Sequence, residues 1–413
     1  MSEITQEKLI SQRGRKKGSK NKPKGSSLFN INLEKQIKNA PINRENALGW
    51  INWGSRNTYP FDLINLYSSS ITHKACCDFF ANAILGNGVD LEAMKLKDGD
   101  LQNPNPQTDW NTFIKSLAFD FGLYGGFAFQ VILNKDRKTF SYYHQPFETI
   151  RFEKMDEEGK INNAYICSDW SSYMKYGYDI VPLFNFMEDE KVEYGKPYLF
   201  AYVPYSPMQA YYPVPMYASA IKAIQAEIEY LNFDLKHIVN GFTPSGLLML
   251  PPAESEEDKQ AIVDNVQRIF QGSENTNNMM IAFSNGIEDA NNIKFQPFNG
   301  SDDTADIYEK ANARTIDRIC AGHRVPSKAL IGFQLDSNGF ASEGALLEAA
   351  YSLYNINVAN SYRNLLLSSI NSALKLNGVD TQVVLKPLKY QLDEAQDEET
   401  NEDNTIEEEN SNE

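Results

Sequence analysis

From Tyr217 to Gly246 the chain reads YASAIKAIQAEIEYLNFDLKHIVNGFTPSG, and this stretch constrains the fold more than any motif does. Apolar residues fall at Tyr217, Ile221, Ile224, Ile228, Leu231, Leu235, Ile238 and Phe242. The steps alternate four and three, the heptad period of a helix that packs along a narrow seam. Lys222, Gln225, Glu227, Glu229, Asn232, Asp234 and Lys236 cover its other faces. Asn240-Gly241 tolerate the left-handed turn that closes a helix, and Pro244 stops any continuation. The stretch therefore predicts one rod of about 25 residues, roughly 37 Å long. It reads either as a core helix of an ordinary domain or as a rod packed against copies of itself.

A chain of 413 residues with 42% hydrophobic residues can bury a real core across two or three structural units. No apolar run reaches the length of a membrane span, and the polar, basic N-terminus does not read as a secretory signal. Cys76, Cys77, Cys167 and Cys320 are not spaced as a disulfide framework or a zinc knuckle, so a reducing intracellular setting is expected. The net charge of −16 is uneven. Residues 1–29 are basic and residues 393–413 acidic, both without hydrophobic periodicity, and both are expected to be disordered. Arg13, Arg15, Lys16 and Lys17 lie in RGRKKGSKNKPKGSS, which is similar to a minor-groove AT-hook with Lys16 in place of the usual proline. This tail is either solvated or a non-specific contact to phosphate.

Between these ends the order of elements is the main information. Residues 30–60 read as an extended arm anchored by Trp50 and Trp53. One helix is predicted over Phe61–Leu85, with His73 as a polar surface or capped group, and a second over Trp110–Leu123. Phe127, Phe129, Val131 and Leu133 alternate as a strand, and Phe140–His144 returns as its partner. Extended runs follow near Ile150, Tyr165 and Tyr198–Val203, so residues 30–213 are expected to be α+β. After the rod, strands at Gly246–Leu250, Met279–Phe283 and Ile293–Phe298 surround an amphipathic helix from Glu254 to Phe270. A second rod starts after Ser301 and runs to Cys320, Pro326 breaks the chain, and Leu330–Phe340 is irregular. Ala341–Leu376 is predicted to be one very long helix, and its breadth of apolar surface calls for several packing partners. Val383–Leu388 reads as a last strand.

Catalytic patterns are scarce. The sequence has no phosphate-binding loop, no HExxH, no G-x-S-x-G and no kinase set. Only His73, His144, His237 and His323 could serve as a histidine base. Acidic pairs such as Asp98/Asp100 and Asp302/Asp303 read as solvated loop and helix-start carboxylates. No catalytic residue, metal site or cofactor is expected.

The ordered set resembles the portal proteins of tailed bacteriophages, in the compact HK97-like group. The likeness rests on Tyr217 with its helix, on Asn240-Gly241-Phe242-Thr243-Pro244-Ser245-Gly246, and on RICAGHRVPSKALIG with its Val325-Pro326. The Gly86-Asn87-Gly88 turn and the block from Trp110 to Gly126 add to it. It covers about residues 45–377.

The resemblance implies an α+β, ring-forming portal fold between a basic tail (1–29) and an acidic tail (393–413). Its parts are a wing (30–213), stem helix 1 (214–243), a β-rich clip (244–300), stem helix 2 (301–322), a tunnel loop (323–340), a long wing helix (341–377) and a vestigial crown (378–392). Phe333, Gln334, Leu335, Asp336, Ser337, Asn338 and Phe340 would face DNA in the channel. Glu254, Glu256, Glu257, Asp258 and Lys259 would dock the motor and the adaptor. Ile221, Ile224, Ile228, Leu231, Leu235 and Ile238 would pack the stem, and Arg13, Arg15, Lys16 and Lys17 would touch DNA from the tail.

The implied partners are further copies of the chain in a ring of twelve, a large terminase that hydrolyses ATP, a head–tail adaptor, a major capsid or scaffolding protein, and double-stranded DNA passing without sequence preference. No membrane is involved. The implied place is one vertex of a virion capsid, after assembly in the host bacterial cytoplasm. Two other classes stay open: a different phage head–tail connector or minor capsid protein, and an enzyme acting on nucleic acid.

Overall fold

The computed structural model describes residues 43–94, 102–136, 138–186, 192–239, 246–250, 279–283, 294–297, 302–333, 340–378 and 382–386, with a few single positions at 255–264 and 388. The described part of the expected arm is a short antiparallel hairpin, β1 (Arg44–Glu45) and β2 (Ile51–Asn52). Its anchors are as expected: Trp50 and Trp53 are fully buried. The Trp53 ring stacks on Tyr212 at 4.7 Å with 6° between the planes.

The helix expected over Phe61–Leu85 is instead two, α1 (Tyr59–Ser69) and α2 (Ile71–Leu85). Ser70 between them is extended, and its hydroxyl accepts the His73 N–H at 3.1 Å. A serine at this position starts a helix better than it continues one. A short turn, α3 (Leu91–Met94), follows, and then α4 (Trp110–Tyr124), capped by Asp109 on the Thr112 N–H at 2.9 Å. Gly125 closes α4 with φ of 85°, and a side chain there would also meet the Val214 carbonyl at 2.7 Å. Only glycine satisfies both demands.

The alternating apolar residues then form β3 (Phe127–Leu133), the centre of an antiparallel sheet. β4 (Phe140–His144) lies on one side of it and β8 (Pro197–Tyr202) on the other. A second antiparallel sheet has the order β5 (Ile150–Phe152), β6 (Asn163–Ile166), β7 (Asp179–Pro182), with a one-turn helix, α5 (Tyr173–Tyr176), before β7. The sequence did not signal β7, because Asp179 and Ile180 are exposed and only Val181 is buried.

The rod opens with a 3-10 turn at Ala218–Ala220 and continues as α6 (Ile221–Val239). β9 (Gly246–Leu250) is central in a three-stranded sheet, parallel to β10 (Met279–Phe283) and antiparallel to β11 (Lys294–Pro297). The second rod is α7 (Asp302–Gly322). A Cβ on Gly322, at the end of α7, would collide with Ala220 at the start of α6. The two rods, which pack against each other, therefore run antiparallel.

The long helix is present as α8 (Phe340–Tyr354) and α9 (Asn360–Leu376), joined by a π-helical turn at Asn355–Ala359. Backbone angles on both sides of that turn stay helical, so the rod is not broken. Arg363 fixes it to α2, donating to the Ala83 carbonyl and to the Ile84 carbonyl at 2.8 Å. Residues 382–386 fold back along the turn after α2: Lys386 N–H donates to the Gly88 carbonyl at 2.8 Å and Asp90 N–H to that of Val384 at 2.8 Å. The strand expected over Val383–Leu388 is thus a single bridge, Val89 with Leu385.

Candidate functional site

The heptad seam of α6 has two different halves. Ile221 and Ile224 are fully buried and Ile228 is half-buried. Leu231 is 38% exposed and Leu235 60% exposed. The Ile238 side chain lies outside the described residues. On the long helix, Leu346, Leu353 and Ile356 are also exposed, at 63%, 51% and 70%. Within one copy, apolar side chains at helical spacing therefore lack cover at the far end of the rod and along the long helix.

Of the residues expected at the clip, Glu257 and Asp258 are exposed, while Glu254, Glu256 and Lys259 lie outside the described residues. Ser255 is a residue the sequence reading missed. Its hydroxyl accepts the Asp258 N–H at 3.1 Å, as a helix cap does. In the expected tunnel loop, Phe333 is half-buried and its N–H reaches the Lys328 carbonyl at 3.2 Å. Gln334, Leu335, Asp336, Ser337 and Asn338 lie outside the described residues, and Phe340 begins α8. Arg13, Arg15, Lys16 and Lys17 also lie outside them.

The junction where the rods meet the rest of the chain is polar and closed. His73, expected as a surface or capped group, is not at the surface: α2 turns it inward and it is fully buried, although the Ser70 hydroxyl does cap its N–H. Its Nδ1 lies 2.8 Å from Nε2 of His323, just past the end of α7. Tyr217 stacks on His323 at 4.8 Å with 19° between the planes, and packs on His73 at 4.3 Å. Its hydroxyl donates to the Leu123 carbonyl at 2.7 Å. Burial pushes His73 down to about 3. His323 is pushed well down by burial and then by His73. Both rings are neutral at ordinary pH.

Beside them, Glu227 of α6 reaches across to the start of α2 and accepts from the Ser70 and Thr72 hydroxyls and from the Thr72 N–H at 3.3 Å. A buried carboxylate needs such donors, and here they tie α6 to the start of α2. Cys77 Sγ is 3.8 Å from His73 Nδ1, and donor atoms of His73, Cys77 and His323 all lie within 4.8 Å of one another. Neither His73 nor His323 could be read as part of a cluster, since 250 positions separate them.

His323 is aimed inward by the turn that ends α7. Val325 N–H bonds the Cys320 carbonyl at 2.9 Å and Arg324 N–H that of Ala321 at 3.0 Å, with Arg324 at φ of 56°. This is the Schellman arrangement, usually completed by glycine.

Elsewhere, Asp120 accepts from His144 at 2.8 Å and from the Phe147 N–H at 3.1 Å, so this pair pins the turn into β5. A surface depression of about 620 Å³ is lined by Lys160, Asn163, Phe184 and Phe200, among others. These residues do not bring a nucleophile to a base. Among the described residues, no helix is long and apolar enough to cross a membrane.

No protein-family model matches the sequence, and no curated protein is similar to it. Solved structures are similar in fold. A chain of the virion of the native gene transfer agent (GTA) particle superposes with a TM-score of 0.51 at 13% identity, over 81% of this chain and 84% of that one. A chain from the neck of the native GTA particle, computed with C12 symmetry, gives 0.50 at 13% identity over 81% and 85%. An HK97 family phage portal protein from Corynebacterium diphtheriae gives 0.41 at 10% identity over 68% and 83%, too loose a likeness to support an argument. The chain has the α+β fold expected from its sequence, and shares that fold with the neck chains of the GTA particle.

Proposed function

We propose that this chain is the subunit of a portal ring, through which double-stranded DNA enters and leaves a virion at one capsid vertex. The observation that carries the reading is the pair of antiparallel rods, α6 and α7, joined through a small sheet and left partly uncovered along Leu231 and Leu235. A rod that buries one end of its seam within the chain and exposes the other fits side-by-side packing with a second copy. Twelve copies are favoured by the C12 symmetry applied to the neck particle that shares the fold. The net charge of −16 per chain suits a passive conduit, because non-specific adhesion of DNA depends on Lys and Arg contacts to phosphate.

In this reading α6 and α7 are the stem. The sheet β9–β11 is the clip, which offers acidic residues such as Glu257 and Asp258 to a terminase and later to an adaptor. The segment 323–340 is the tunnel loop, and its part from Phe333 to Phe340 would face the DNA. The chain itself catalyses no reaction. Electron microscopy of the purified protein tests the proposal: rings with an open centre wide enough for a duplex are expected, and a sample that stays monomeric at all concentrations overturns it. Nuclease and ATPase assays with and without magnesium should give no turnover.

A further inference from the structure

The ring reading leaves the buried junction between α2 and α7 without a role beyond packing. Three residues meet there with donor atoms of the kind that hold soft metals. His73 and Cys77 are four positions apart on α2, so both project from one face of the helix. His323 comes from the turn after α7 and brings its Nε2 to 2.8 Å from His73 Nδ1. Cys77 Sγ stands 3.8 Å from that same nitrogen. His73 is 0% exposed, and Cys77 and His323 are each 1% exposed.

We propose that His73 Nδ1, Cys77 Sγ and His323 Nε2 form a three-coordinate site for Cu(I). Thiolate and imidazole donors select Cu(I) or Zn(II) over harder ions. Charge and coordination number then decide between the two. A thiolate with two neutral imidazoles cancels the single charge of Cu(I), which suits a site closed to water. Zn(II) would keep one positive charge, and the neighbouring carboxylate, Glu227, is already held by Ser70 and Thr72. Structural zinc also takes four ligands, and the described cluster offers three.

On binding, Cys77 releases its thiol proton to solvent, and the hydrogen shared by the two imidazoles moves to a ring nitrogen facing away from the metal. Bond lengths near 2.0 Å to each nitrogen in a trigonal site set the two nitrogens about 3.5 Å apart, so from 2.8 Å the rings must part by roughly 0.7 Å. Bound copper would clamp α2 to the end of α7 beside Tyr217, where wing and stem meet.

Cys76 and Cys320 form a second thiol pair close by, each perturbing the other. The test therefore uses the full-length protein with Cys76→Ala and Cys320→Ala together. It is titrated without oxygen against bicinchoninate, a colorimetric Cu(I) chelator. One Cu(I) per chain is expected to survive the competition, and X-ray absorption at the copper edge should show two nitrogens and one sulfur. Adding Cys77→Ala should weaken binding by roughly 100-fold or more, with helical circular dichroism unchanged. If that triple variant does not fold, the absorption spectrum of the double variant decides alone. The proposal is overturned if the double variant retains no Cu(I), if it retains zinc in preference, if Cys77→Ala leaves binding as it was, or if the spectrum lacks the sulfur.

Discussion

Single residues carry two testable consequences that do not depend on assembly. Arg324 holds φ of 56° at the end of α7, where a side chain costs about 1–2 kcal/mol and glycine costs little. The Arg324 side chain is exposed, so its removal forfeits little packing. Arg324→Gly should raise stability by about 1 kcal/mol, after allowing for the greater freedom of glycine in the unfolded chain. A urea denaturation midpoint that moves up checks this. Asp109 is the second case. The Thr112 N–H, and then its hydroxyl, hold the Asp109 carboxyl below its usual range. A depressed carboxylate contributes fully above its unfolded value near pH 4, and that contribution is lost as pH falls through the depressed value. Asp109→Ala should therefore cost about 1 kcal/mol at pH 7 and less as pH falls below the ordinary carboxylate range, measured by denaturation of both proteins across that pH range. The start of α4 was legible from the helical spacing of Phe113, Leu117 and Phe121, not from its Asp109 cap, which the sequence reading did not single out. The histidine pair was not legible, because local patterns say nothing about which inward-facing side chains meet.

At the level of elements, the heptad of α6 was legible as a face but not as an interface. Periodicity fixes which residues share a side, and only the fold shows that Ile221 and Ile224 are covered while Leu231 and Leu235 are left open. The consequence separates folding from assembly. Ile224→Ala removes buried volume and should cost 2–5 kcal/mol of folding free energy, as large-to-small core changes do. Leu235→Ser should change the stability of the isolated chain by less than about 0.5 kcal/mol, as exposed substitutions do, yet shift the protein from rings to monomers. Denaturation and sedimentation velocity on the two variants check the contrast, and a Leu235→Ser protein that still forms rings removes this residue from the interface. Helix breaks were less legible than helix existence. Ser70 splits what the apolar pattern joined, because a cap there satisfies backbone groups that the pattern does not register. The π-turn at Asn355–Ala359 left no break in the apolar pattern, since one wide turn only rotates the face that follows it.

For the whole molecule, the order of rod, small sheet, rod and long helix was legible because each element is punctuated by Gly or Pro. The mixed pairing around β9 was not, since strand direction depends on the crossover and not on the strand residues. How such a molecule would handle DNA is a question of charge. If the chain forms the proposed ring, its net charge of −16 per copy would disfavour phosphate overall, so whatever touches the duplex would do so weakly. The proposed tunnel loop, entered past Gly332 at φ of 95° and Phe333, supplies Gln334, Ser337 and Asn338, which are polar but uncharged. Asn338→Ala and Phe340→Ala should leave rings intact by electron microscopy and slow packaging or impair DNA retention. Asn338→Lys sets one cation per subunit against the passing phosphates. Each added contact binds counterion-stripped DNA, with an affinity that falls steeply as salt rises. The Lys variant should therefore slow DNA passage most at low salt and recover as salt increases, whereas the Ala variant should show no such recovery. Rates that are unchanged in all three variants would place the loop away from the duplex, and a defect in Asn338→Lys that ignores salt would mean that the lysine disturbs the ring itself.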